Sequence, residues 1–193
     1  MRVFIAIPIP PDVKAKLAAV QQEFRRLPIL ATWVRDAGVH LTLKFLGDVD
    51  PRRVDSIVAC MLDTAREFHP FTLTVSGMGV FPHETRPRVL WAGIQDDSNQ
   101  LPQLQSALEM RLAHRGFPAE GHAFTPHLTL ARVKSISRAG EFIACLSRHR
   151  EDAFGHTDVD RLELIESQLH PSGARYSTLK AVHLSSMADD PRR

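Results

Sequence analysis

The sequence contains few of the residues from which covalent catalysis and metal sites are usually built. It has two cysteines, Cys60 and Cys145, and no CxxC pair, so neither a disulfide framework nor a zinc site is supported. Both cysteines lie in amphipathic helical patterns, where small buried thiols are expected. No serine lies in a GxSxG elbow, which argues against a serine hydrolase of that type.

Long hydrophobic runs are also absent. The apolar run at the start, Val3–Ile9, has seven residues, contains Pro8 and is followed by an ordinary charged helix. A membrane-spanning helix needs about 20 apolar residues, and a signal peptide ends in a cleavage region that this stretch lacks. We therefore expect a cytoplasmic protein that has no membrane partner.

Charge of one sign is not in large excess either. The 193 residues include 24 Lys+Arg against 22 Asp+Glu, a net charge of +2, with 44% hydrophobic and 24% charged residues. This composition is that of an ordinary globular protein. The balance permits an anionic substrate or a single strand of nucleic acid without requiring one, because local patches decide binding.

The periodicity of the apolar residues predicts about four helices and seven or eight strands. A buried first strand, RVFIAIPI, precedes a helix over Pro11–Arg26, in which apolar residues recur at spacings of three and four. Asp50 and Pro51 are typical of the start of a second helix. The stretch HTDVDRLELIESQLH is predicted to be one strand, paired with SGARYSTLKAVHLS through a turn at Pro171–Gly173.

Strands that are adjacent in sequence indicate hairpins, which exclude an all-parallel sheet. The expected fold class is therefore α+β. The order of elements partly recurs along the chain, which indicates a two-lobed pseudo-repeat. We expect residues 1–193 to form a single domain made of two intertwined lobes.

The most informative feature is a tetrapeptide, HLTL, that occurs at His40–Leu43 and again at His127–Leu130. Successive side chains of a strand point to opposite faces, so the histidine and threonine of each copy share one face and the leucines share the other. The leucine face must be the core face. Each copy thus presents an imidazole beside a hydroxyl, either for chemistry or as part of a solvated sheet surface.

Two imidazoles and two hydroxyls suit phosphodiester cleavage without a metal. One imidazole can give a proton to the leaving oxygen while the other takes one from water. Threonine hydroxyls can donate to phosphate oxygens, and Lys44 and Arg132 add positive charge. A metal hydrolase is less favoured, because no Asp or Glu lies close to either motif, within 39–47 or 124–133.

The paired motifs resemble the HxTx signatures of the 2H phosphoesterases. The contexts HLTLKFLG and TPHLTLAR are similar to those of the bacterial and archaeal RNA 2′,3′-cyclic phosphodiesterases, also known as 2′-5′ RNA ligases. The similarity extends to RVFIAIPIPPDV at the start and SGARYSTLKAVHL at the end. The resemblance implies a bilobal α+β fold in which antiparallel sheets line a central cleft, with the helices outside.

The resemblance also implies an activity, the metal-independent hydrolysis of RNA 2′,3′-cyclic phosphate ends to 2′-phosphomonoesters without a cofactor. By the family pattern, His40 donates a proton to the departing 3′ oxygen and His127 accepts one from water. Thr42 and Thr129 would hold the phosphate. The expected partners are RNA 3′ ends or nucleoside 2′,3′-cyclic phosphates, and the chain is expected to be a monomer with no protein partner.

Two basic residues beside the motifs are expected to bind substrate. Strict alternation puts Arg132 on the core face, whereas the family pattern places an arginine near the phosphate; a bulge or strand end after Ala131 would reconcile the two. Alternation puts Lys44 on the His40 face. The same rule favours a core position for Phe45. A core position is also expected for Trp33, although either ring could stack on a base.

Other functions stay open at this point. The chain could instead be a reversible 2′-5′ RNA ligase, which joins a phosphate end to a 5′-hydroxyl, or a non-catalytic RNA-end or phosphate-binding protein. The remaining eight histidines lack a repeated context and are expected to be solvated, and Tyr176 is expected to be structural.

Overall fold

The computed structural model describes residues 1–170 and 173–185. In these residues the strands β1–β9 are Arg2–Pro8, Ile29–Trp33, His40–Asp48, Phe71–Phe81, Val89–Gln95, His127–Ile136, Ala153–Val159, Arg161–His170 and Gly173–His183. The helices α1–α4 are Pro11–Arg25, Val54–Ala65, Gln100–His114 and Ala139–Arg148. The expected α+β class is confirmed.

The strands form two antiparallel sheets. The four-stranded sheet has the order β3-β1-β8-β9, and the five-stranded sheet has the order β2-β6-β5-β4-β7. Each sheet contains one HLTL strand, β3 at the edge of the first and β6 between β2 and β5 in the second. Although β3 and β6 belong to different sheets, their Cα atoms approach within 8 Å of each other.

One prediction about the strands is wrong. The stretch from His156 to His170 is two strands rather than one, because the chain leaves the five-stranded sheet after Val159 and enters the four-stranded sheet at Arg161. The buried positions change phase at this break, from Thr157 and Val159 to Leu162 and Leu164. A change from odd to even buried positions is the sequence signal of such a break.

The hairpin predicted near the end of the chain is present. β8 and β9 pair antiparallel as far as His170 and Gly173. Residues 171 and 172 of the predicted turn lie outside the described residues.

Helix α1 packs on the core through the residues predicted by its spacing. Val13, Leu17, Val20 and Phe24 are buried, and so is the polar Gln21. The Gln21 amide donates to two backbone oxygens, Val34 O at 3.0 Å and Leu130 O at 2.8 Å. These bonds tie α1 directly to the second HLTL strand.

Both cysteines are buried, as expected. Cys60 lies in α2 and Cys145 in α4, and neither forms a disulfide. Burial raises the pKa of each thiol. The two side chains therefore act as small hydrophobic residues of the core.

Candidate active site

Both HLTL strands contain a β-bulge at the same point. On β3, Thr42 pairs with Ala6 and Lys44 with Ile5, so Leu43 is the extra residue. On β6, Thr129 pairs with Trp91 and Ala131 with Leu90, so the extra residue is Leu130. A bulge adds one residue to a strand and reverses the face that the following residues occupy. Alternation therefore holds within each motif and fails beyond it.

Within the motifs, burial follows the predicted alternation. The four leucines, Leu41, Leu43, Leu128 and Leu130, are buried in the core. The histidines and threonines are half-buried. In each sheet, two leucines thus pack into the core on the face opposite to the His-Thr pair.

Lys44 does not lie on the His40 face, and that prediction is wrong. Its side chain is 2% exposed, and Nζ lies 2.6 Å from Glu109 Oε1. It also donates to Pro118 O at 2.7 Å. The bulge at Leu43 turns Lys44 inward and the next residue outward. A core position for Phe45 is therefore also wrong, since the ring is 52% exposed.

Arg132 lies on the opposite side of its strand from the core. Leu130 and Ala131 are both buried, Arg132 is exposed and Val133 is buried again. The bulge that brings Arg132 to the His127 face is centred on Leu130, slightly before the expected point after Ala131.

The His40 ring lies in an aromatic environment. It stacks on Phe4 with the ring centroids 4.6 Å apart, and it meets Tyr176 edge-on at 5.4 Å. Among the described residues it has no hydrogen-bond partner. Burial, and secondly the positive charge of Lys14, lower the pKa of His40 to about 4. The imidazole is therefore neutral at pH 7 in the free protein.

The His127 ring has a hydrogen bond that defines its tautomer. Nδ1 lies 2.7 Å from Thr125 O, and a carbonyl oxygen can only accept. Nδ1 therefore carries the hydrogen, and in the neutral ring the free lone pair is on Nε2. Phe81 packs edge-on against this ring at 5.0 Å.

Two residues near His40 were not predicted to be part of the site. Lys14 in α1 and Tyr176 in β9 line a cavity of about 210 Å³ together with His40. Lys14 follows the buried Val13 in α1. Nothing in the sequence assigned it to the site, because a lysine at this position is equally typical of a solvated helix surface. Tyr176 reaches His40 only because β8 and β9 complete the sheet on the other side of β1.

One group of described residues, none of which belongs to either motif, has a metal-compatible donor set. Donor atoms of Glu23, Cys145 and His149 lie within 4.8 Å of one another. Both His149 nitrogens already have partners, with Nδ1 2.6 Å from Asp152 Oδ2 and Nε2 3.1 Å from Glu23 Oε2. His149 is buried, so the expectation that it is solvated is wrong. The group ties α1 to α4.

None of the helices in the described residues is both long enough and apolar enough to cross a membrane.

The sequence is similar to several known proteins. It is 35% identical over 182 residues to an RNA 2′,3′-cyclic phosphodiesterase of Thermotoga maritima, covering 93% of both chains. It is 33% identical over 159 residues to an RNA 2′,3′-cyclic phosphodiesterase of Aquifex aeolicus, covering 82% of this chain and 84% of that one.

Solved structures share the fold. The TT0787 protein of Thermus thermophilus superposes with a TM-score of 0.81 at 28% identity, over 97% of this chain and 100% of that one. Escherichia coli LigT in complex with 3′-AMP has a TM-score of 0.74 at 24% identity, over 96% and 98%. At that identity the second comparison concerns the fold alone.

The model of the LigT-like phosphoesterase family matches this chain in two consecutive segments, 7–91 and 93–176. Each segment contains one HLTL strand. The matched segments cover most of the sequence. The chain belongs to the LigT-like phosphoesterases of the 2H superfamily.

Proposed function

We propose that this protein hydrolyses the 2′,3′-cyclic phosphate at RNA 3′ ends to a 2′-phosphomonoester, using His40 and His127 and no metal. The observation that carries the proposal is the pair of His-Thr faces on two neighbouring strands, each followed by a bulge at the same position of the motif. The names of the Thermotoga and Aquifex relatives support the substrate. A cytoplasmic, monomeric protein is part of the same proposal.

His127 is the proposed base. Its Nδ1–H is engaged by Thr125 O, so Nε2 is the nitrogen free to take a proton from water. The water oxygen attacks phosphorus as the proton moves to Nε2. General base catalysis of this kind contributes about 10²–10⁴ in rate.

His40 is the proposed acid. Its pKa of about 4 leaves it neutral in the free protein, so it must gain a proton as substrate binds. A phosphate anion next to the ring raises the pKa of the imidazole and favours that uptake. The bond between phosphorus and O3′ breaks, and O3′ receives the proton from His40. The product has a 2′-phosphate and a 3′-hydroxyl.

The remaining groups would bind the phosphate. The Thr42 and Thr129 hydroxyls donate to the non-bridging oxygens, on which negative charge increases in the transition state. Arg132 adds a positive charge from the five-stranded sheet. Lys44 has no part in this proposal, because its ammonium is buried against Glu109.

The test is hydrolysis of an RNA ending in a 2′,3′-cyclic phosphate, with EDTA present. We expect wild-type activity to persist in EDTA and each of His40→Ala and His127→Ala to lose roughly 10²–10⁴-fold. Full activity in either variant, or activity that depends on added metal, would contradict the mechanism.

A second substrate separates the two histidine roles. A cyclic phosphorothiolate with sulfur at the 3′ position has a leaving group that needs no proton. The proposal predicts that this substrate restores activity to His40→Ala and not to His127→Ala. Restoration of His127→Ala alone would reverse the assignment.

The same assays recognise the two alternative functions. A substrate that binds tightly but is unchanged after long incubation would identify a binding protein. A joined product from added RNA with a 5′-hydroxyl would identify a ligase.

A further inference from the structure

The cavity beside His40 contains groups that the proposed chemistry does not use. Its volume is about 210 Å³. Besides His40 it is lined by Lys14, Glu163, Tyr176, Thr178 and four apolar residues, Pro8, Ala37, Val39 and Ile165. Residues of α1, β8 and β9 thus surround a space that borders the proposed acid.

Lys14 is in an unfavourable position for a cation. The side chain is half-buried in the first turns of α1, where the helix dipole disfavours positive charge. Among the described residues, no carboxylate lies within 4.0 Å of its ammonium. Burial lowers the pKa of Lys14. The negative charges of Asp36 and Glu163 act in the opposite direction, but their effect is smaller than that of burial. A bound anion would relieve this cost.

Glu163 is the acidic group in the same cavity, and each of its two oxygens already accepts a hydrogen bond. Oε1 accepts from Arg161 Nε at 2.9 Å, and Oε2 accepts from the Thr178 hydroxyl at 3.1 Å. Arg161 is therefore the direct ionic partner of Glu163, whereas Lys14 interacts with that carboxylate only at longer range. This leaves Lys14 as the cavity's available cation.

We propose that this cavity binds the phosphodiester on the 5′ side of the terminal nucleotide, with Lys14 as its counter-ion. The inference rests on the proposed function. If His40 protonates O3′, the ribose that carries O3′ lies on the His40 side, and its C5′ leads to the next phosphate. The preferred substrate is then an RNA end of two or more nucleotides rather than a cyclic mononucleotide.

The experiment compares two substrates that share the reacting group. One is adenosine 2′,3′-cyclic phosphate, and the other is the dinucleotide ApA with the same cyclic end. Lys14→Met lowers kcat/KM for the dinucleotide roughly tenfold more than for the mononucleotide, mainly through KM, because a charge-assisted contact is lost. Any change in the proton affinity of His40 affects both substrates alike. Lys16→Met, an exposed lysine on the same helix, is the matched control and changes neither.

A neutral methylphosphonate linkage in the dinucleotide removes the same contact from the substrate side. The wild-type protein loses roughly tenfold on this analogue, whereas Lys14→Met discriminates little between the two linkages. Lys14→Arg restores most of the wild-type preference, and thermal unfolding verifies that each variant is folded.

Two results would overturn the inference alone: equal losses on both substrates in Lys14→Met, or a wild-type protein indifferent to the methylphosphonate. A wild-type protein that hydrolyses neither substrate would instead overturn the proposed function, and the inference with it.

Discussion

The two HLTL strands have the same four residues and the same bulge, yet they give their sheets different chemistry. After the motif, β3 turns Lys44 inward and Phe45 outward, whereas β6 turns Ala131 inward and Arg132 outward. The repeat sets the position of a histidine and a threonine. The two residues that follow decide whether the sheet adds a cation or an aromatic ring.

The two histidines of the motifs also have different surroundings. His40 rests on the Phe4 ring and is neutral in the free protein because its pKa is about 4. His127 is fixed through Nδ1 by Thr125 O. Identical local sequences thus produce two imidazoles with different surroundings, which is what separate acid and base roles require.

The largest effect on stability is expected at Lys44, which points inward after the bulge of β3. Lys44→Met leaves Glu109 partly buried without its cation, which costs about 3–5 kcal/mol of unfolding free energy. Urea unfolding measures this loss. The double variant Lys44→Met/Glu109→Gln recovers most of it, and a single variant as stable as wild type would show that the ion pair is unimportant.

The next effect concerns His40 and pH. Its pKa in the folded protein, about 4, is below the ordinary value of 6.5, so the unfolded chain binds the proton first. The contribution of neutral His40 is fully present above about pH 6.5 and is lost as pH falls to about 4, by up to about 3 kcal/mol. Unfolding free energies at pH 7.5 and 4.5 test this.

Two variants sharpen that measurement. His40→Phe retains the ring and has no titrating group, so its stability falls less over the same range of pH. Lys14→Met removes a positive charge and raises the pKa of His40 in the folded protein. The pH range over which stability is lost then ends at a higher pH, so the total loss is smaller. A wild-type stability that falls no more steeply than that of His40→Phe would contradict the low pKa.

On β6, the outward-pointing Arg132 should affect activity and not stability. Arg132→Met is expected to lower kcat/KM for the cyclic phosphate by roughly 10–100-fold, because a charge-assisted phosphate contact is lost. Lys134→Met, an exposed neighbour on β6, is the control with a change under about threefold. Equal effects of the two variants would mean that Arg132 acts only through general charge.

The smallest effect is expected at Phe45. The ring is 52% exposed, so Phe45→Ala should cost under about 1 kcal/mol of stability. Leu43→Ala, on the core side of the same bulge, should cost about 2–5 kcal/mol. Thermal unfolding of the two variants shows directly which residue faces the core.

The alternation of side chains along a strand correctly predicted the positions of the residues within the two HLTL motifs. It placed the leucines of both motifs in the core and left the histidines and threonines on the other face, because sheet geometry alone decides those positions. It failed at Lys44 and Phe45, since the bulge at Leu43 depends on pairing with β1. No composition signal, such as a glycine, marks that residue.

The surroundings of His40 could not be predicted from the sequence. Phe4, Lys14 and Tyr176 come from β1, α1 and β9, and their approach depends on strand order rather than on any local pattern. The predicted α1 face was right, but periodicity does not tell which flank of a helix borders a site.

The exchange of strands between the two sheets has a consequence for the gene. β2 comes early in the chain but completes the sheet of the second motif, and β8 and β9 come last but complete the sheet of the first. Cutting the coding sequence between the two family segments would therefore yield two polypeptides, each missing strands of its own sheet. Duplication, fragment complementation or exchange of one half with a relative would therefore have to include the exchanged strands.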